Sequence, residues 1–249
     1  MTLSRRFLAA GFAAPLALAL AACNGSDDPE GALSGEPIAA IPAPDGQAWT
    51  DIVTVTDEDG YKVGNPEAPL KLVEYASHTC GACANFAATG VAPLKEKYVS
   101  TGVVSFELRN LVRDPIDLTI AAMVRCGQKE NMIPLSDQAW GALNDIIGNV
   151  QSNNAAYQAA GEMPVDQRFI GIAEAAGLID FFSARGLSAD QARTCLADGA
   201  KIESIATTSQ TQSEELNLTG TPTFILNGAK VDAIGWDQLE PALQRAGAR

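Results

Sequence analysis

The sequence predicts an α/β fold in which a block of helices interrupts a β-sheet. Three observations support this prediction. Residues 70–76 form an apolar run, and residues 103–112 have a similar β-rich composition, so both are expected to be buried strands. Residues 113–216 have the composition and capping signals of helices. β-type residues return only after Thr219. The predicted order is therefore β-α-β, a helical block, and β-β-α.

The sheet is expected to begin with a hairpin at its edge. Val53 and Val55 alternate with polar residues, and a turn-forming sequence follows at residues 58–60. The apolar strand at residues 70–76 comes after a proline-rich loop. A helix should follow this strand, and Pro93 is expected to kink it.

Capping signals mark the starts of helices within residues 113–216. Asp114 followed by Pro115 is typical of an N-cap with proline at the first helical position. Ser136 is expected to cap a second helix. Residues 188–191 have the capping-box pattern, which predicts a further helix start.

The β pattern near the C-terminus predicts a second hairpin. Residues 221–226 run directly into Asn227-Gly228, a strong signal for a type I′ turn. Residues 230–234 supply the returning strand. An amphipathic helix at residues 236–246 is expected to close the fold.

Composition and charge exclude several classes of protein. The 249 residues are 47% hydrophobic and 19% charged, as in globular domains. A net charge of −13 disfavours nucleic acid as a partner, because phosphate backbones would be repelled. A zinc site needs several cysteine or histidine ligands at short spacing, and the sequence has a single histidine. We therefore expect no metal and no cofactor.

The first 22 residues have the pattern of an export signal. Arg5 and Arg6 precede an apolar run at residues 7–22, which is too short and alanine-rich for a confident membrane span. Small residues before Cys23 resemble the lipobox of bacterial lipoproteins, which implies cleavage before Cys23 and its lipidation. The alternative is a plain secretory signal with an incidental cysteine and a soluble periplasmic product. A twin-arginine signal is a third interpretation. All three lead out of the cytoplasm, where disulfides persist.

Residues 23–50 are predicted to be a flexible tether. They are rich in glycine, proline, alanine, aspartate and serine and have little apolar surface to bury. Such a segment would hold the folded domain away from a membrane, although a disordered tail without a role has the same composition. No apolar periodicity suggests a dimerisation segment, so we expect a monomer.

The sequence Cys80-Gly81-Ala82-Cys83 lies where the strand at residues 70–76 should give way to a helix. Free N–H groups and the helix dipole at a helix N-terminus favour a thiolate at Cys80. Thiolates attack disulfides, so this position predicts thiol–disulfide exchange. A purely structural bridge between the two cysteines is the alternative.

Further motifs around this pair resemble a known family. Glu74 lies six residues before Cys80, and residues 220–224 read Gly-Thr-Pro-Thr-Phe. Together with the cysteine pair they resemble the thioredoxin fold, and the helical block resembles the DsbA-like subfamily of thiol–disulfide oxidoreductases. The resemblance implies a thioredoxin-like domain formed by residues 51–112 and 217–249, with a helical insertion at residues 113–216.

The resemblance also implies a role for each site residue. Cys80 matches the exposed nucleophile, and Cys83 matches the buried resolving cysteine. Pro222 matches the cis-proline that faces the pair, with Thr221 directly before it. Glu74 matches the buried acid that helps to move the proton of the second thiol. An outward-facing backbone at Thr221 would let an extended substrate pair with it.

Three details leave the direction of the chemistry open. Oxidising relatives carry Pro-His between the cysteines, whereas this chain has Gly81-Ala82. Thr221, where many oxidising relatives have valine before the proline, is more like disulfide isomerases and some DsbA relatives. His78 either tunes the Cys80 thiolate or simply lines the turn.

The resemblance therefore implies a dithiol oxidase, with an isomerase or a reductase as alternatives. Its expected partners are cysteine-containing exported proteins and a membrane redox partner. A polypeptide-binding lipoprotein with an inert disulfide is the non-enzymatic alternative.

Cys126 and Cys195 remain after Cys23 and the redox pair are assigned. In an exported protein an even remainder favours a structural disulfide. Two buried free thiols, or a regulatory disulfide that tunes the active pair, are the alternatives.

Overall fold

The computed structural model describes residues 35–249. The predicted signal at residues 1–22, the lipidation site Cys23 and the first part of the tether lie outside the described residues. A six-stranded mixed sheet has the order β1-β2-β4-β3-β5-β6. Its strands are β1 (Val53–Val55), β2 (Tyr61–Val63), β3 (Leu70–Ala76), β4 (Val104–Asn110), β5 (Thr223–Leu226) and β6 (Ala229–Val231).

Helices cover the sheet and form a large block between β4 and β5. In chain order they are α1 (Gly81–Thr89), α2 (Val91–Leu94), α3 (Pro115–Val124), α4 (Met132–Gly141), α5 (Leu143–Ser152), α6 (Asn154–Gly161), α7 (Val165–Ala175), α8 (Leu178–Ser183), α9 (Ala189–Ala197), α10 (Gly199–Glu215) and α11 (Trp236–Arg245). A π-helical turn, Lys95–Val99, continues α2. The predicted α/β class, with helices inserted into a thioredoxin-like sheet, is confirmed.

Strand β3 is the centre of the sheet. It runs parallel to β4 and antiparallel to β5, with Leu72 opposite Phe106 on one side and Leu226 on the other. Alternate residues of a strand face the same side of a sheet. Glu74 therefore shares the buried face of Leu72 and Ala76, which places a carboxyl group in the apolar core.

The apolar core joins α1 to the sheet. The ring of Phe86 in α1 meets Phe224 and Phe106 edge-on, with centroids 4.7 and 6.5 Å apart. Phe86 is fully buried, and this burial contributes about 2 kcal/mol to the free energy of unfolding. The packing fixes α1, and with it the cysteine pair at its start.

Both predicted hairpins are present. β1 pairs with β2, and β5 pairs with β6 across Asn227-Gly228. Asn227 and Gly228 have φ angles of 50° and 86°. A type I′ turn requires positive φ at both of its central residues, which explains this dipeptide.

Two of the predicted helix caps are correct and one is wrong. Asp114 accepts a hydrogen bond from the Asp117 backbone N–H at 2.8 Å, and Ser188 forms the predicted capping box with Gln191. Ser136 does not begin a helix. It lies buried in the middle of α4, where its hydroxyl contacts a residue that is distant in the sequence and does not cap the helix.

The prediction of a flexible tether does not hold for residues 35–50. The backbone N–H groups of Ile38 and Ile41 donate to the carbonyl oxygens of Gly247 and Thr101 at 2.9 and 2.8 Å. The segment therefore lies as a strap across the C-terminal end of the chain and the turn before β4. Backbone hydrogen bonds need no side-chain pattern, so composition alone did not reveal them.

Trp49 anchors the end of this strap. The residue is 8% exposed, and its indole N–H donates to the Ile41 carbonyl oxygen at 2.7 Å. A buried tryptophan whose indole N–H is hydrogen-bonded holds its segment firmly against the rest of the fold. The prediction of a flexible tether therefore remains only for residues 23–34.

Candidate active site

Cys80 is the N-cap residue of α1, and its sulfur touches two parts of the chain. The backbone N–H of Cys83 donates to Cys80 Sγ at 3.4 Å, and Cys80 Sγ lies 3.2 Å from the carbonyl oxygen of Thr221. Both cysteines are free thiols. The Cys80 residue is 5% exposed and Cys83 is fully buried. Cys80 is thus less exposed than the resemblance implies, but it is the more accessible of the two.

The two thiols differ strongly in acidity. The pKa of Cys80 is lowered to about 5, chiefly because the Cys83 side chain hydrogen-bonds to its thiolate. The backbone N–H groups of Ala82 and Cys83 add to this effect, while burial opposes it. The pKa of Cys83 is raised, because it shares that hydrogen bond, is buried, and faces the charge of Glu74. At neutral pH, Cys80 is therefore the thiolate and Cys83 the thiol.

Glu74 lies behind the pair on the core face of β3. It is 1% exposed, and its Oε1 atom has no hydrogen-bond partner among residues 35–249. Burial raises its pKa well above the usual range, and the charges of Asp137 and Cys80 raise it further. Such a carboxyl group keeps its proton to a higher pH than an ordinary one and can exchange it with a neighbouring sulfur.

The Thr221–Pro222 segment lies opposite the cysteines. The Thr221–Pro222 peptide bond is cis, as the resemblance implies for this position. β5 starts directly afterwards, with Thr223 opposite Tyr75 near the end of β3. The pairing of β5 with β3 therefore brings Thr221 and Pro222 to the sheet edge where α1 begins.

His78 is fully buried and turned into the helical block. Its ring stacks on Trp140 with centroids 5.0 Å apart, and Nε2 lies 3.0 Å from the Ser136 hydroxyl. Nδ1 is 3.5 Å from Asp117 Oδ1. These contacts favour the interpretation that His78 lines and fixes the turn before Cys80.

A second set of contacts, not expected from the sequence, fixes the same turn to α3. Asp117 Oδ1 accepts the His78 backbone N–H at 2.7 Å, and Asp117 Oδ2 accepts the Ser77 hydroxyl at 2.6 Å. The Thr79 hydroxyl donates to Asp114 Oδ2 at 2.7 Å. The buried aspartate could not be recognised in the sequence, because its partners lie about forty positions away in the chain, at separations of 39 and 40.

Cys126 and Cys195 are joined by a disulfide with their Cα atoms 5.9 Å apart. The bridge ties the residues after α3 to α9, within the helical block. It is separate from the Cys80–Cys83 pair, which lies at the sheet.

Across residues 35–249, no helix combines the length and apolar composition needed to cross a membrane. The same residues include no group of three or more histidine, cysteine, aspartate or glutamate side chains arranged to hold a metal ion.

Comparison with known proteins agrees with this geometry. A family model described as Thioredoxin matches residues 56–245. The chain belongs to the thioredoxin family. The match extends from the first hairpin to the last helix, and it therefore includes both the cysteine pair and the cis-proline.

Two solved structures similar to the chain have names that refer to disulfide exchange. A protein-disulfide isomerase of Novosphingobium aromaticivorans is 28% identical, with a TM-score of 0.71, over 76% of this chain and 98% of that one. Wolbachia pipientis alpha-DsbA1 is 18% identical, with a TM-score of 0.59, over 75% of this chain and 89% of that one. The second likeness supports the fold alone.

Similar curated proteins come from Rickettsia. One from Rickettsia typhi is 23% identical over 79% of this chain, and one from Rickettsia bellii is 24% identical over 76%. Both are provisionally named protein-disulfide oxidoreductases. The chain spans 65% of the length of each of these relatives.

Proposed function

We propose that this protein is an exported thiol–disulfide oxidoreductase of DsbA type that acts as a dithiol oxidase. One observation carries the proposal: Cys80, with its pKa lowered to about 5, lies at a helix start beside a buried Cys83 whose pKa is raised. The names of the Rickettsia and Novosphingobium proteins support the reaction class.

The proposed cycle starts with Cys80 and Cys83 joined as a disulfide. A substrate thiolate attacks Cys80 Sγ, a substrate–Cys80 disulfide forms, and the bond to Cys83 breaks with its electron pair on Cys83 Sγ. A second substrate thiolate then attacks the substrate sulfur of the mixed disulfide, and Cys80 leaves as a thiolate. The substrate loses two electrons and two protons; the protein gains both electrons, one proton goes to Cys83 Sγ and the other goes to solvent. A membrane redox partner that accepts two electrons restores the disulfide.

The low pKa of Cys80 favours the oxidase direction. A stable thiolate is a good leaving group, and it also stabilises the reduced form of the protein. Cys83 is too buried to meet substrate directly, so its role is to resolve mixed disulfides.

An isomerase is the second candidate. The solved Novosphingobium structure carries that name, and Thr221 before the cis-proline fits it as well. An isomerase is active in its reduced form, whereas an oxidase must start oxidised. Two refolding assays, run side by side, distinguish an oxidase from an isomerase. One starts from a reduced substrate, and the other starts from a substrate with scrambled disulfides.

Export and a lipid anchor at Cys23 belong to the same proposal. The disulfide between Cys126 and Cys195 supports an oxidising compartment, where such bridges persist. Expression of the full chain and of Cys23→Ser, followed by membrane fractionation, tests the anchor. The full chain should stay with the membrane and the variant should not. Equal partitioning would contradict lipidation at Cys23.

The direct test of the reaction is a trap for mixed disulfides. Cys83→Ser removes the resolving thiol, so substrate proteins should accumulate on Cys80 as adducts that dithiothreitol releases. Cys80→Ser is the matched control and should give none. Adducts that persist when both residues are replaced would overturn the assignment, and no adducts with Cys83→Ser would favour a binding protein with an inert disulfide.

A further inference from the structure

A cavity of about 510 Å³ lies beside the active site, and no step of the proposed exchange uses it. It is formed by the segment that follows β4, the first turns of α7 and the second half of α10. Its walls include the apolar side chains of Leu111, Leu118 and Phe169. A mostly apolar cavity of this volume with a few polar groups is typical of a binding site.

The topology places this cavity at the same edge of the sheet as Cys80. β3 and β4 are parallel, so their carboxyl ends meet at one edge, which is where α/β sheets commonly bind ligands. The backbone N–H of Leu111 donates to the Ala76 carbonyl oxygen at 2.8 Å and continues this pairing past both strands. Asp114 lines the cavity and accepts the hydroxyl of Thr79, the residue before Cys80. A ligand in the cavity would therefore lie next to the turn that carries Cys80.

The cavity also borders the segment that leads to the cis-proline. Ser213 lines the cavity, and its hydroxyl donates to the carbonyl oxygen of Leu218 at 3.4 Å. Leu218 and Leu111 belong to one small apolar cluster. Residues 219 and 220 then lead to Thr221, whose backbone would pair with an extended substrate in the proposed function. The residues that flank the paired part of such a substrate would thus reach the cavity.

Two arginines give the cavity hydrogen-bond donors that the protein itself does not use. Arg113 comes from the segment after β4, and Arg168 comes from α7. The guanidinium of Arg113 makes no hydrogen bond or ion pair with residues 35–249. That of Arg168 uses only Nε, which donates to the Met163 carbonyl oxygen at 3.2 Å. Because arginine has five N–H donors and no acceptor, most of the donors of this pair are left for a ligand.

The two carboxyl groups that line the cavity are already engaged. Asp114 Oδ1 accepts the Asp117 backbone N–H at 2.8 Å, and Asp114 Oδ2 accepts the Thr79 hydroxyl at 2.7 Å. Glu214 Oε1 accepts the side-chain amide of Gln210 at 2.9 Å, which leaves Oε2 without a partner among residues 35–249. A ligand that complements the cavity must therefore supply acceptors. A carboxylate matches the fork of a guanidinium best.

We propose that this cavity is a substrate subsite that binds an acidic side chain near the reacting cysteine of an exported polypeptide. The carboxylate pairs with Arg113 and Arg168, and the apolar part of the side chain covers the cavity wall. The chain has a net charge of −13 and repels acidic polypeptides at long range, so a local pair of arginines gives such a substrate a defined place to bind. This inference rests on the proposed exchange at Cys80 and names a class of substrate for it.

Matched peptides with two cysteines test the subsite. The peptides differ only at one position near the first cysteine, which holds Glu or Gln, and this position is moved along the peptide in a series. The oxidised full chain is mixed with each peptide, and the rate of peptide oxidation is measured. The measured quantity is the ratio of the Glu rate to the Gln rate at each position.

Arg113→Gln is the most informative variant. Arg113 contacts the fold only through its backbone N–H, which donates to Asp117 and is retained in the variant. At the best position the Glu-to-Gln ratio should be about two- to fivefold higher in wild type than in Arg113→Gln, the size expected of one exposed ion pair. Arg113→Glu should lower the ratio further. The effect of the flanking charge on the peptide thiol itself is the same for every protein variant and cancels.

Arg249→Gln is the matched control, because it removes an exposed arginine at the C-terminus. It should keep the wild-type ratio. Equal ratios in wild type, Arg113→Gln and Arg113→Glu at every peptide position would overturn the proposal.

Peptides with serine in place of both cysteines separate the subsite from the reaction. Their binding to the full chain, measured by fluorescence anisotropy, should favour Glu over Gln in wild type and lose this preference in Arg113→Gln. If this binding result is obtained while no cysteine peptide is oxidised, the proposed function is wrong and the subsite stands. If every cysteine peptide is oxidised and Arg113→Gln leaves the ratio unchanged, the subsite is wrong and the proposed exchange stands.

Discussion

The sulfur of Cys80 lies 3.2 Å from the carbonyl oxygen of Thr221, a residue 141 positions further along the chain. The two segments meet because β5 pairs with β3 and so returns the chain to the edge where α1 begins. An extended substrate that pairs with the backbone at Thr221 would pass directly over Cys80. The sheet thus places Cys80 Sγ beside the backbone segment that would bind substrate in the proposed function.

The reactivity of Cys80 should be almost independent of pH from about pH 6 upward. With a pKa of about 5, the reduced thiol is mainly a thiolate from pH 6 upward. Its alkylation rate with iodoacetamide should therefore be nearly equal at pH 6 and pH 8, whereas an ordinary thiol reacts about 80-fold more slowly at pH 6. A steep rise between these pH values would contradict the geometry around Cys80 Sγ.

The same pKa shift predicts how stability depends on pH. Because the pKa of Cys80 is lower in the folded state, its contribution is complete above the unfolded value of about 8.5. The contribution falls as pH decreases toward about 5 and is absent below that value. The free energies of unfolding of reduced wild type and of Cys80→Ser, measured with urea, should therefore converge as the pH falls through this interval. A difference in the free energy of unfolding that stays constant with pH would contradict the lowered pKa of Cys80.

Asp117 should be important for stability. Its carboxylate accepts the backbone N–H groups of His78 and Arg113 and the Ser77 hydroxyl. Asp117→Ala leaves these donors without an acceptor, so the free energy of unfolding should fall by about 3 kcal/mol. Urea titration checks this value. The exposed Asp57→Ala is the matched control and should change it by less than about 0.5 kcal/mol. Equal effects would show that the anchoring contacts contribute little.

Local signals in the sequence predicted much of the fold, whereas contacts between distant segments were missed. The Asn227-Gly228 turn and the Asp114 cap each depend on residues only a few positions apart, so short patterns revealed them. The sequence predicts a cap at Ser136, but its hydroxyl contacts His78, 58 positions away. Asp137 is one of 30 acidic residues, and only the packing of α4 distinguishes it from the rest.

The disulfide between Cys126 and Cys195 should stabilise the helical block. It closes a loop with a sequence separation of 69 residues. The chain-entropy argument gives a stabilisation of about 4 kcal/mol for a loop of this length. Replacing both cysteines with serine should lower the free energy of unfolding by roughly this amount and leave the alkylation of Cys80 unchanged. A large change in Cys80 reactivity would instead support a regulatory bridge.

The midpoint potential of the Cys80–Cys83 pair tests the proposed oxidase most directly. A pKa of about 5 for Cys80 lies between the values of about 7 in thioredoxin and about 3.5 in DsbA. The potential measured against glutathione should accordingly lie between about −270 and −120 mV. A value in this range agrees with a dithiol oxidase that lacks the strongest oxidising power. A value below about −270 mV would identify a reductase and contradict the account.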